Sequence, residues 1–368
     1  METRSYEEKG VPAPNQYDPS ARGLPESKKL IADEAKALGI DASEENVWMA
    51  DGGMGGLVRT FRGLANHLKN EGVSNPTIVV SSPCFTMARN VAQDNGLTII
   101  DIDSSDLPRQ ELTPERLGQT LNGQIPNIIL ITPSDNPTAR SLDPENLKAL
   151  IEKFLELNPD GYFIFDMAYI SMIPPEKVQA IINVIKESGA YQRAIFAFSE
   201  SKKYAIPGIR VGAAVIPNKK LGNIFQADTI RNYPTYSKTI DFEFQARAQL
   251  VSQESLEKYL QLLRQRQQTL LDVLRALDPN KEIFEGLKDI AIPGYEGKSP
   301  QATTIQDVPL YLWVKLKPGV SAWDLIEKLG IIGVPGEVFG DEGNHMRFSL
   351  GVISTSDILN LLPENQRN

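Results

Sequence analysis

Cysteine, histidine, long apolar runs and excess positive charge are all scarce in this 368-residue chain. A single cysteine, Cys84, excludes an internal disulfide framework, so a reducing compartment is the expected home. Two histidines, His67 and His345, leave little for a histidine-based metal site or a hydroxyl–imidazole–carboxylate triad, and acid–base work has to come from other groups. No stretch approaches the roughly 18 apolar residues that would span a bilayer. Met1–Lys9 carries no apolar leader core, and a cytoplasmic protein is expected. Lys and Arg number 38 against 47 Asp and Glu, a net charge of −9, and they are dispersed, which argues against nucleic acid and anionic membrane as partners. The hydrophobic share of 41% is that of an ordinary soluble protein, and the length suffices for two domains with sizeable cores.

Apolar runs followed by helical spacing recur through the first two thirds of the chain. Residues 24–38 have helical periodicity with Pro25 near the start. Val47–Ala50 is short and apolar, and Gly52-Gly53-Met54-Gly55-Gly56 then opens a helix expected from about Leu57 to Lys69. Strands are expected at Thr77–Val80, Leu97–Ile102, Ile128–Thr132, Tyr162–Phe165, Ala194–Phe198 and Ala213–Ile216. This alternation predicts an α/β fold with a mostly parallel sheet flanked by helices, whose ligands bind at strand carboxyl ends. Phe242–Leu277 contains neither Gly nor Pro and predicts one or two long helices. Beyond Pro279, a strand at Pro309–Val314, a helix at Trp323–Leu329 and a strand at Met346–Leu350 read as a smaller α+β unit.

The chemistry concentrates at the ends of the apolar runs. After Ala194–Phe198 comes Ser199-Glu200-Ser201-Lys202, and Arg210 and two glycines follow within ten residues of that lysine. An amine that acts as a nucleophile needs partial enclosure and neighbours that favour its neutral form, while a phosphate needs hydroxyls, backbone N–H groups and a planar cation. One segment offers both, which points to Lys202 joined to pyridoxal phosphate; alone it could equally be a solvated turn. Asp166 ends the run Tyr162–Phe165, where a buried carboxylate needs a cation, and a protonated pyridine nitrogen is one. Asn136 follows the run Asn127–Thr132 and could donate to the ring hydroxyl.

These pieces resemble the aspartate-aminotransferase-type family of pyridoxal-phosphate enzymes (fold type I, class I/II). Asn136-Pro137-Thr138, Asp166-Met167-Ala168-Tyr169, Ser199-Glu200-Ser201-Lys202 with Gly208-Ile209-Arg210-Val211-Gly212, and Phe339-Gly340 leading to Arg347-Phe348-Ser349 stand in the family's order, with Asp166 and Lys202 36 residues apart. The resemblance covers roughly residues 15 to 360. It implies that Gly53 and Met54 hold the cofactor phosphate with Ser199 and Arg210, that Phe85 stacks on the pyridine, that Tyr169 stabilises the ring oxygen, and that Arg347 grips the substrate α-carboxylate beside Asn136. Phe85 as a plain core residue is the competing possibility. The resemblance also implies that Tyr17 reaches the phosphate of a neighbouring subunit, making a homodimer with shared sites, against the alternative of a surface tyrosine. Residues 1–40 are expected to join 256–368 in a small domain around a large cofactor-binding domain at 41–255.

The implied activity is an aminotransferase acting on an amino acid and a 2-oxo acid. Sixteen residues precede Tyr17 where relatives carry a longer arm, Ala139 replaces the usual glycine after Asn-Pro-Thr, and Glu200 and Lys203 add charge beside Lys202. These departures keep a lyase, decarboxylase or oxidase with the same cofactor as the alternative. Arg4, Tyr6, Arg231 and Tyr236 are the candidates for the distal side of the pocket. His345 is expected to face solvent, and Cys84 to be a packing residue.

Overall fold

A computed structural model describes residues 18, 20–232, 236–300 and 302–366. Seven strands pair into one mixed sheet: β1 (Val47–Asp51), β2 (Thr77–Ser82), β3 (Thr98–Asp103), β4 (Ile128–Ile131), β5 (Tyr162–Asp166), β6 (Ala194–Ser199) and β7 (Val211–Val215), in the order β1-β7-β6-β5-β4-β2-β3. Only β7 runs against its neighbours, antiparallel to both β1 and β6, so β1 and β6 point the same way. Every residue of β4 and β7 is buried, as is all of β6 except Ser199, which explains why these strands read as continuous apolar runs.

Period-2 alternation divides the side chains between two cores. Val79, Ile129, Phe163, Phe165 and Phe196 face one cluster, and Ile78, Val80, Leu130, Ile164 and Ile195 face the other. On the first face Phe163, Phe165 and Phe196 stack in series, with ring centroids 6.2 and 5.4 Å apart. Helices α1 (Pro25–Ala37), α2 (Gly52–Asn70), α3 (Thr86–Asp94), α4 (Pro114–Leu121), α5 (Pro144–Leu157) and α6 (Pro175–Glu187) cover the sheet. Their starts are written locally: Thr113 accepts from the Arg116 N–H and Asp143 from the Asn146 N–H, each followed by a proline at the first helical position. α1 lies against β1 and β7 of this sheet.

The helix expected from Leu57 begins five residues earlier, at Gly52, so the glycine segment is its first turn and not a loop. Small residues let this turn settle against the neighbouring strands: a Cβ on Gly56 would lie 3.5 Å from the Ala213 carbonyl oxygen, and Gly52 turns out of β1 with φ +74°.

After the single turn α7 (Glu200–Lys203) and β7, α8 (Lys219–Asn232) and α9 (Lys238–Leu250) lead to α10 (Gln253–Leu277). The run without Gly or Pro thus forms two helices, broken at Val251–Ser252, where Ser252 caps α10 by accepting from the Ser255 N–H. α10 joins both parts of the chain: Leu263 packs in the first sheet core and Leu270, Leu271 and Leu274 in a third. That third core lies under an antiparallel sheet of β8 (Phe284–Glu285), β11 (Tyr311–Leu316), β12 (Val334–Pro335) and β13 (His345–Ser349), ordered β12-β13-β11-β8, with α11 (Ala322–Leu329) and α12 (Thr355–Leu359). A two-residue parallel pair, β9 (Ile290–Ala291) and β10 (Thr304–Ile305), stands beside it. No helix among the described residues is long and apolar enough to cross a membrane.

Gly212 is the tightest point of the large sheet. It pairs with Ala50 on β1 and Ser199 on β6, and a Cβ there would come 2.6 Å from both the Gly52 oxygen and the Gly53 nitrogen. Gly212→Ala is therefore expected to cost about 2–3 kcal/mol by overpacking. A denaturant midpoint equal to the parent's would show that the backbone yields at this point.

Candidate active site

The strand ends converge because of where β7 is inserted. β1, β2, β4, β5 and β6 all finish at one edge of the sheet, and β7 begins there, directly after Arg210. Their exits frame a cavity of about 330 Å³ that also receives residues from β11 and β13 of the second sheet. Gly53, Met54, Phe85, Asn136, Asp166, Tyr169, Ser199, Lys202, Arg210 and Arg347 all line it.

One end of the cavity is built for an anion. The first turn of α2, 19 residues long, directs its unpaired N–H groups and its positive dipole end there. A Cβ on Gly53 would lie 2.9 Å from the Ser199 Cβ, and one on Gly52 would lie 2.6 Å from the Arg210 Nη2. Side chains at these positions would fill the cradle, so the glycines keep it open to the hydroxyl and the guanidinium. Arg210 holds φ +65°, and its Nη1 donates to the Pro207 carbonyl at 2.9 Å. No residue from Gly52 to Gly56 has a hydroxyl, which leaves the backbone amides, Ser199 and Arg210 as the donors.

The other end presents a buried acid. Asp166 accepts one hydrogen bond, from the Ala168 N–H at 3.0 Å, and no described cation pairs with it. Burial pushes its carboxyl up to about 6. A protonated ring nitrogen at this end would supply the missing cation, and the anion cradle at the other would take a phosphate. On both observations the residues fit pyridoxal phosphate.

In the same cavity the Lys202 ammonium lies 5.7 Å from the centroid of the Tyr169 ring. Burial lowers the Lys202 pKa, and the Arg347 and Arg210 charges lower it further, so its neutral amine is more available than on an exposed lysine. Tyr169 is buried, and burial holds its hydroxyl well above the ordinary range. That hydroxyl lies 2.8 Å from the hydroxyl of Tyr311.

Arg347 extends from β13 over this chamber. Its Nη1 donates to Asn136 Oδ1 at 2.6 Å, and its guanidinium lies 4.5 Å from the Tyr311 ring and 4.7 Å from the Phe339 ring. The guanidinium thus packs against two aromatic rings, Nη2 also reaches Ser349 Oγ at 3.4 Å, and Nε is buried with no hydrogen-bond partner among the described residues.

Tyr311 was missed by the sequence reading because it heads an apolar strand and looks like core. Thr132 and Pro207 also line the cavity and carried no signal of their own, and Ser201, read only as part of the Ser199–Lys202 segment, lines it as well. Tyr17, Arg4 and Tyr6 lie outside the described residues. Arg231 is exposed on α8 and does not line this chain's cavity; Tyr236 is buried in the first core, 2% exposed, and does not line it either. His345 does not face solvent: it stacks on Trp313 at 5.0 Å and bonds Asp341 through Nδ1 at 2.9 Å. Period-2 geometry puts His345 on the same face of β13 as Arg347, so both side chains turn inward. Burial pushes the Cys84 thiol up to about 12, consistent with a packing residue. Of the charges beside Lys202, Lys203 pairs with Glu34 at 2.6 Å, while burial pushes Glu200 up to about 8.

The family described as aminotransferase class I and II matches residues 15–362. A curated relative, the LL-diaminopimelate aminotransferase of Prochlorococcus marinus subsp. pastoris, is 25% identical over 222 residues, 59% of this chain and 50% of the relative; the match thus spans half that protein's length. Among solved structures, the aspartate aminotransferase of Thermus thermophilus with maleate superposes with TM-score 0.71 at 18% identity, over 97% of this chain and 84% of that one. The aspartate aminotransferase of Thermotoga maritima superposes with TM-score 0.71 at 19% identity, over 98% and 84%. At these identities the two structures speak for the fold.

Asp166 makes a test possible without any ligand. Its folded pKa is raised above the unfolded value, so its contribution to stability is complete below about pH 4 and is lost as the pH rises through about 6. In the ligand-free protein, Asp166→Asn is expected to be more stable than the parent by roughly 1–3 kcal/mol at neutral pH and nearly equal to it at pH about 4. Denaturant titrations with the same pH dependence for both proteins would contradict this.

Proposed function

The chain belongs to the class I and II aminotransferase family, and from that premise we propose that it moves an amino group from an L-amino acid to a 2-oxo acid, with pyridoxal 5'-phosphate as resident cofactor. The observation that carries this reading is the single cavity shared by Lys202, Asp166 and Arg347. When bound, the cofactor supplies an aldehyde that joins to amines and a ring that takes up the electrons left on a substrate carbon after deprotonation.

The chain's own residues divide the remaining work. The α2 amides, Ser199 and Arg210 would hold the phosphate, with the Arg210 fork matching two of its oxygens. Asp166 would keep a proton on the ring nitrogen, because two opposite charges in a buried setting stabilise each other. Phe85 would cover one ring face, and Asn136 and Tyr169 would hydrogen-bond the ring oxygen. Arg347 takes the substrate α-carboxylate, and its contact with Asn136 fixes where that carboxylate sits. The Lys202 amine, kept neutral in larger fraction by burial and by the nearby Arg347 and Arg210 charges, is the base that removes the substrate Cα proton.

The reading includes a homodimer with shared sites, supported by the resemblance around Tyr17, and a cytoplasmic location, supported by the single cysteine. It also includes a large domain at 41–255 with a small one drawn from 1–40 and 256–368. The last boundary falls within the first turn of α10, the helix that packs in both the first and the third core.

Lys202→Ala is the direct test. The parent loaded with pyridoxal phosphate is expected to gain a visible absorbance band that single amino-acid substrates bleach. The variant is expected to lack that band and to lose at least about 10²–10⁴-fold in transfer rate. A Lys202→Ala protein that transfers amino groups at the parent's rate would refute the assignment. Screening the bleaching across amino acids with aspartate-like, aromatic and aliphatic side chains would identify the substrate class.

A further inference from the structure

The Tyr311 hydroxyl has no packing explanation. A phenylalanine at this position would give Arg347 the same aromatic face, so stacking alone does not call for the oxygen. β11 pairing places Tyr311 opposite Ser349, and Gln267 Nε2 donates to the Tyr311 carbonyl at 2.7 Å, which fixes the backbone. The ring then meets Tyr169 edge-on, with centroids 5.6 Å apart and planes at 67°, and the two hydroxyls are 2.8 Å apart. Both rings are 7% exposed, and the Tyr311 hydroxyl has no other hydrogen-bond partner among the described residues.

Resting on the functional reading above, we propose that Tyr311 is a positioning residue that acts through Tyr169: it donates its proton to the Tyr169 oxygen and so commits the Tyr169 proton to the cofactor's phenolic oxygen. Each phenol has one proton, so the pair has two orderings. If Tyr169 donates to Tyr311, the Tyr311 proton has no acceptor and an anionic oxygen in the cavity loses a donor. If Tyr311 donates, the two donors act in series toward the anion, and each polarises the next.

Burial raises both hydroxyls above their ordinary range, so they work as hydrogen-bond donors without ionising. The charged and titratable groups facing the pair are Lys202 from α7, Asp166 from β5, Arg347 from β13 and Tyr259 from α10. Each of these is kept in the variants below, so the hydroxyl is the only change.

The test is a double-variant cycle read by spectroscopy. Parent, Tyr311→Phe, Tyr169→Phe and the double variant are loaded with pyridoxal phosphate, and the pH midpoint of the visible band is titrated. A donor favours the anionic chromophore, so Tyr311→Phe is expected to raise the midpoint by about 0.5–1 unit. In the Tyr169→Phe background the same change is expected to add less than about 0.2 unit, because the relay has already been cut. An unmoved midpoint in Tyr311→Phe overturns the inference, and so does full additivity, which would mean that Tyr311 acts independently of Tyr169. A parent that takes up no cofactor overturns the functional reading and this inference together.

Discussion

The site depends on one reversed strand. β7 enters between β1 and β6 and runs against both, and Gly212 there pairs with Ala50 on one side and Ser199 on the other. That register brings the exit of β1, the exit of β6 and the Arg210 turn to one point of the sheet edge. Only a residue without a Cβ fits, because the Gly52–Gly53 backbone lies against it. The anion cradle, the Lys202 turn and the guanidinium that serves the cradle are therefore consequences of one close approach.

Electrostatics then gives the cavity its direction. Two guanidiniums and an amine share the cavity with a buried acid, with Arg210 at the cradle by β1 and β7 and Asp166 at the end of β5. Burial works in opposite senses on the two kinds of group, raising Asp166 and lowering Lys202, and in each case it favours the neutral form. An acid raised above its ordinary range and an amine lowered below its own, in one chamber, suit proton transfer at a carbon. A bound ligand with an anionic and a cationic end would relieve both.

Arg347 shows how the second sheet completes the first. The residue comes from β13, far along the chain, yet it contacts Asn136 and lies between Tyr311 and Phe339. Backbone bonds fasten the two parts at the same place, from the Cys84 N–H to the Phe339 carbonyl and from the Val308 N–H to the Ala139 carbonyl. Asp307, whose side chain is fully buried, adds bonds to Ser141 and Lys177. A buried acid with several donors holds a junction tightly, since each lost partner would leave a charge unpaired.

Much of this was legible in the residues alone. Asp166 and Lys202 were readable because a polar group directly after an apolar run must lie at a strand end, and strand ends are where sheets of this kind bind ligands. The parallel strands were readable from unbroken apolar runs, and the start of the first helix from Pro25. Tyr311 was not, because inside Tyr-Leu-Trp-Val its hydroxyl carries no local mark. His345 misled for a related reason: its position beside Arg347 suggested water, whereas the cross-strand diagonal to Trp313 decides its place. The glycine run misled too, since glycine lowers helix propensity, and only the closeness of β7 makes it the first turn of a helix. The order of elements and the chemical types at their ends could be read along the chain, because both are set by contacts between near neighbours. The partners of Tyr169, the clamp on Arg347 and the inward turn of His345 were decided by the tertiary structure, because they depend on strand register and on two sheets meeting, which no short window of residues contains.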